Sequence, residues 1–253
     1  MIAGIPPYLL LLVAIILIYL LDCIVVLYAN EAIVKRQGPG WQVEFGSRQT
    51  WIAGKRIYLL NPLTPLAATY RTHWQVGSML RHADESALTR CGDHTRLIAR
   101  LHSRVAMTAW VVLVILPIAM MLWGSLGFLV GAATSWAVVI VLLLRFLACR
   151  CELELSWPEF SLIAFECLAC PPCAVNLLRK LSLRYRMNID LVDLAMQMDD
   201  ERAAAVFERV GEQIDATLIM LDLDTPEYER THAYRELLRC EHSRLTAKKV
   251  ESA

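Results

Sequence analysis

Three long apolar runs constrain this chain more than any other feature. Tyr8 to Tyr28 is a 21-residue run whose single charge is Asp22. Val105 to Trp123 covers 19 residues with no charge, and Leu126 to Ala148 covers 23 with only Arg145. A bilayer core about 30 Å thick is crossed by about 20 helical residues at roughly 1.5 Å each, so each run is long enough to span. With 57% of its 253 residues hydrophobic, the chain is too apolar for an ordinary soluble domain. The expected fold class is mainly α: a polytopic membrane protein with three transmembrane helices, a small cytoplasmic β-hairpin element and a cytoplasmic C-terminal helical hairpin. A cleavable signal peptide needs a basic leading region and a shorter apolar core. Met1 to Tyr8 has no basic side chain, so the first run is expected to stay as an anchor.

Charge placement sets the expected orientation. The 25 Lys and Arg divide as 11 in residues 29–104 and 14 in residues 145–253. Lys and Arg near the ends of spans are retained on the cytoplasmic side, which places the N-terminus outside, the C-terminus in the cytoplasm and the turn Trp123–Gly127 outside. A bacterial inner membrane is the expected location. Residues 29–104 carry a balance of +6, and residues 189–229 carry −10. Surfaces of opposite sign suit each other or charged partners, and the acidic helical region argues against nucleic acid.

Five segments are expected: an anchor helix at 1–28, a basic cytoplasmic loop at 29–104, a transmembrane helical hairpin at 105–148, a Cys-rich membrane-associated or re-entrant segment at 149–186, and a cytoplasmic helical region at 187–253. Within the basic loop, Gly38-Pro39-Gly40 signals a turn. Trp41–Phe45 alternates apolar and polar, and Trp51–Ala53 with Arg56–Leu60 flank Gly54-Lys55 as a hairpin, so a small β element is expected there. Residues 66–86 lack a clean stripe and admit a helix. Ser156-Trp157-Pro158-Glu159 is a capping-box pattern that starts a helix broken at Pro171-Pro172. Cys173–Arg186 reads as an amphipathic interfacial helix. The tail shows helical spacing from Leu191 to Ile214, and Thr225-Pro226-Glu227 opens a last helix.

Cysteines form the densest chemical cluster. Cys149, Cys151, Cys167, Cys170 and Cys173 put five thiols within 25 residues. Paired close cysteines suit a tetrahedral zinc site, and C-x2-C-x2-C opens ferredoxin-type iron–sulfur runs. The ferredoxin pattern lacks its fourth cysteine, and apolar surroundings favour plain packing or, less strongly, thiol redox chemistry. Cys91 and His94 have C-x2-H spacing without a second pair. Asp22 and Arg145, the charges inside the runs, are costly there unless paired, so an intramembrane ion pair between them is expected to lock the first helix to the third. Arg96, Arg100 and Arg104 recur every four residues and, with Lys180 and Arg184, suit contact with lipid headgroups. Gly127, Gly131 and Ser135 form a small-xxx-small face for close helix packing, within the hairpin or in self-association.

Phosphate-binding, zinc-protease and nucleophile-elbow motifs are absent from the sequence. The leading expectation is a non-catalytic inner-membrane subunit or scaffold that presents cytoplasmic docking surfaces to a protein partner or to itself. A membrane metal-binding or redox protein using Cys149–Cys173 is the second reading. An oligomeric transporter or channel component, with Asp22 and Glu166 along its path, is the third.

Overall fold

The computed structural model describes residues 6–37, 40–47, 50–52, 55–76, 85–222 and 224–251. The turn signals at Gly38-Pro39 and Gly54, together with Ala53, lie outside them, as do residues 77–84. The chain divides into two compact units, each built from three separate segments. The first takes Met1–Val25, Leu59–Ala68 and Gly92–Arg184; the second takes Val26–Tyr58, Thr69–Cys91 and Tyr185–Ala253.

The fold is mixed α/β with two sheets, which corrects the expectation of a mainly α, three-span protein. Among the described residues one helical run, His102–Cys149, is long and apolar enough to cross a membrane. The first apolar run does not continue as helix. Its helix α1 (Pro7–Asp22) has 16 residues, about 24 Å of rise against a core of about 30 Å. Strand β1 (Ile24–Leu27) follows with alternating exposed and buried side chains. β-Branched Ile24, Val25 and Val26 favour the pleated conformation over a further helical turn.

Strand β2 (Glu31–Gln37), β3 (Gly40–Phe45), β4 (Trp51–Ile52), β5 (Lys55–Leu59) and β6 (Thr69–His73) come next. One sheet has the order β1-β5-β4. The other has the order β3-β2-β6-β7, where β7 is Arg186–Asp190. β2 pairs antiparallel with β3 (Val34 opposite Val43) and with β6 (Val34 opposite Tyr70), whereas β6 and β7 run parallel. The buried Thr72 hydroxyl donates to the Ile189 carbonyl at 2.7 Å and fastens β7 beside β6.

In the second unit, α8 (Leu191–Ala195), α9 (Asp200–Leu218) and α10 (Pro226–Glu251) follow β7. Their core gathers Leu191, Phe207, Val210, Ile214, Tyr234 and Leu238 around Trp74. Trp74 donates its indole N–H to Gln213 Oε1 at 2.7 Å, which satisfies a buried donor. Arg235 clamps Asp215 between α9 and α10 through two bonds at 2.6 and 2.8 Å.

The first unit is helical. α2 (Glu85–Ala99) leads to α3 (His102–Trp110), a π-helical turn at Val111–Ile115 and α4 (Leu116–Cys149). Pro117, at the second position of α4, has no N–H to give the preceding turn, which is where the wider π spacing is found. Within α4 the chain reverses at Gly124, whose φ of 55° and ψ of −124° suit glycine alone. The two limbs then pack closely. A Cβ on Gly127 would lie 1.8 Å from the Ala119 carbonyl oxygen, and one on Gly131 would lie 2.5 Å from Leu116 Cδ1. Ser135 is buried and donates to the Gly131 carbonyl at 2.8 Å. α5 (Trp157–Ala169) opens with the reciprocal Ser156–Glu159 capping box. α6 (Pro171–Ala174) and α7 (Leu177–Arg184) complete a core of Val105, Leu142, Phe146, Ile163 and Leu177.

Candidate functional site

A polar cluster sits where the end of α1 meets α5 and α7 in the first unit. Leucines and isoleucines fill α1 until Asp22, and Cys23 caps it. Lys180 Nζ lies 2.9 Å from Asp22 Oδ1 and 3.0 Å from Glu166 Oε2, so one ammonium serves two carboxylates. Asn176 Nδ2 donates to the other Asp22 oxygen at 3.0 Å. One turn along α7, Arg179 is 2% exposed. It donates to Asn176 Oδ1 at 3.2 Å, to the Thr64 carbonyl at 2.5 Å, to the Asn61 carbonyl and to Cys23 Sγ at 3.6 Å. Tyr19 donates to the Pro62 carbonyl at 2.5 Å. Segment 59–68 is thereby tied to α1 and α7 through its own backbone oxygens.

Opposite charges balance here: Asp22 and Glu166 against Arg179 and Lys180. Burial alone would lower the Lys180 pKa, but the Asp22 carboxylate and its hydrogen bond outweigh that and hold it above the usual lysine value. An unpaired ion at this depth would cost several kcal/mol, so the cluster tolerates loss of the whole set better than loss of one member. Arg179 Nε has no hydrogen-bond partner among the described residues. The arrangement ties three chain segments together through paired charges and backbone carbonyls.

Several expected site residues stand elsewhere. Arg145 is exposed, and Asp22 pairs with Lys180 and Asn176 instead, which replaces the expected Asp22–Arg145 ion pair. Arg145 is on the exposed side of α4, whereas both Asp22 oxygens are turned to Lys180 and Asn176. Lys180, expected at lipid headgroups, has a side chain that is 18% exposed and paired with two carboxylates. Arg96 is exposed beside Asp93 at 3.3 Å, Arg100 pairs with Glu152, and Arg104 and Arg184 are exposed. Cys149 and Cys167 are buried, Cys170 and Cys173 half-buried, and Cys151 exposed. These five thiols are not gathered into one centre. Among the described residues, no group of three or more His, Cys, Asp or Glu is placed to hold a metal ion. Burial pushes the Cys167 thiol up to about 12, whereas a thiol that ligates metal must ionise. Cys91 and His94 are both buried; burial raises the Cys91 pKa to about 12 and lowers that of His94 to about 4.

Asn176 and Arg179 are the functional residues that sequence reading missed. The available signal was an asparagine and an arginine flanking the apolar stripe Leu177, Leu178 and Leu181, where solvated polar residues would lie opposite it. No protein-family model, curated protein or solved structure matches the chain.

Proposed function

We propose that the chain is a membrane-anchored, non-catalytic scaffold subunit of a bacterial inner membrane. The helical run His102–Cys149 sits in lipid, and charged surface outside it serves as a cytoplasmic docking surface for a protein partner. One observation carries this reading: the apolar helical run leaves its large side chains outside the fold. Only 39% of its most apolar stretch is buried. Trp110, Met121, Leu122, Trp123, Leu126, Leu129 and Leu144 are exposed. At on the order of 100 Å² each, they exceed the ~300–600 Å² apolar patch of a typical soluble monomer. The core helix of a soluble protein would turn such residues inward. The opposite face of the same run, with Val112, Met120, Val139, Leu142 and Phe146 fully buried, packs as a helical core does. Asp22 and Glu166 are both taken up by Lys180, which withdraws the support for a transport path along them.

The test is extraction of native membranes at high pH, followed by labelling of intact cells with an impermeant maleimide. Retention in the pellet, with exposed Cys240 protected until the membrane is opened, is the expected result. Release by alkali would remove the anchoring, and labelling of Cys240 in intact cells would reverse the orientation.

A further inference from the structure

Cys170-Pro171-Pro172-Cys173 has no role in a scaffold, yet the fold holds its two thiols together. Cys170 immediately precedes α6 and Cys173 lies within it, and the Cys173 N–H donates to the Cys170 carbonyl at 2.8 Å. A turn closed by such a bond brings its end Cα atoms within about 7 Å, and disulfides span Cα separations of about 4.4–6.8 Å. Both thiols are free and half-buried. Two consecutive prolines fix φ between them, so the spacing is held by the backbone.

Cys170 also edges a cleft of about 230 Å³ in the first unit, with Ile15, Trp136 and Pro172 among its walls. The lining is almost wholly apolar, so an apolar reagent has a path to this thiol that a charged one lacks. We propose that Cys170 and Cys173 form a two-electron dithiol–disulfide couple that exchanges with small apolar disulfides through this cleft. This inference does not depend on the scaffold reading. Cys170 lines the cleft and is the attacking thiol; Cys173, whose pKa burial and the neighbouring Asp22 carboxylate raise, is the resolving one. Cys170 loses its proton to solvent, and its thiolate attacks one sulfur of the reagent, forming a mixed disulfide and expelling one reagent thiolate. Cys173 then gives up its proton and attacks Cys170 Sγ, closing the internal disulfide and expelling the second thiolate. The two cysteines are oxidised by two electrons, and the reagent disulfide is reduced to two thiols.

The experiment treats the reduced full chain in mild detergent with 4,4′-dithiodipyridine and, separately, with glutathione disulfide. Peptides are then weighed. The expected Cys170–Cys173 peptide is lighter by two hydrogens, carries no thiopyridyl group and returns to the dithiol mass with dithiothreitol. Exposed Cys151 and Cys240 keep the label, and Cys173→Ser traps it on Cys170. Relative to Cys240 in each reaction, the pair reacts at least about tenfold faster with the apolar reagent than with glutathione disulfide, because access sets the rate. A wild-type peptide that retains label on both cysteines, or does not react, overturns the couple whatever the variant does. Equal relative rates for the two reagents overturn the role of the cleft.

Discussion

Replacing Gly127 by alanine tests the hairpin most directly. The added methyl would sit 1.8 Å from the Ala119 carbonyl oxygen and 2.4 Å from its carbon, where ordinary contacts begin at 3.4 Å. Both obstacles are backbone, so the limbs must part by about 1.5 Å; no rotamer change relieves the clash. Overpacking costs typically about 1–3 kcal/mol, and a backbone clash belongs at the upper end. Alanine returns up to about 1 kcal/mol of helix propensity, leaving a net loss of about 2 kcal/mol. For a chain of this size that is a melting-temperature drop of about 4–8 °C. Gly131→Ala meets mainly Leu116 Cδ1, the end of a flexible side chain, and is expected to lose less than about 1 kcal/mol. Gly92→Ala meets nothing within 4 Å in α2 and is expected to gain about 0.5–1 kcal/mol. Melting followed by tryptophan fluorescence in detergent reads all three. A Gly127→Ala protein that melts with wild type, or above Gly131→Ala, refutes the close approach of the limbs.

Lys180→Met strands Asp22 and Glu166 without their cation. Because Glu166 is 40% exposed, the loss is set below the fully buried range, at about 2–3 kcal/mol by denaturant unfolding. Arg145→Leu, at an exposed position, is expected to stay within about 0.5 kcal/mol of wild type; equal effects from both substitutions would contradict the Lys180 lock. His94 gives a pH signature. Its folded pKa is lowered to about 4 by burial, while the unfolded imidazole protonates near 6.5. Between those values the unfolded chain binds the extra proton. Stability therefore falls as pH drops from about 6.5 to 4, by at most about 1.4 kcal/mol per unit. A His94→Gln protein should lose that part of the slope in acid-unfolding curves, and an unchanged slope would show His94 to be solvated.

What could be read from the sequence was whatever local pattern decides. The capping box at Ser156 and Glu159 has both partners within three residues, and the amphipathic tail repeats over several turns. What could not be read was decided at long range. Asp22 lies 154 positions from Asn176, and nothing near Asp22 distinguishes Lys180 from Arg145 as its partner. Strand β7 is five residues long, with only Met187 and Ile189 alternating as buried apolar positions. Its assignment comes from parallel pairing with β6. Residues 24–27 were legible as apolar but not as strand, because their β-branched side chains only bias the backbone toward it and the pairing with β5 completes the choice. The cluster around Arg179 stayed hidden because its acceptors are backbone carbonyls of residues 61 and 64, which carry no mark in a sequence.

The parallel pairing of β6 with β7 has a consequence for how the protein is made. Thr72 waits for Ile189, 117 residues later. At about 5–20 residues per second, the ribosome takes on the order of ten seconds to deliver that partner. During this interval the whole hairpin from His102 to Cys149 emerges, while one side of β6 is still without its neighbour. The nascent chain must thus place its greasiest segment before its second unit can close, and no contiguous excision of that unit would carry all of its own sheet.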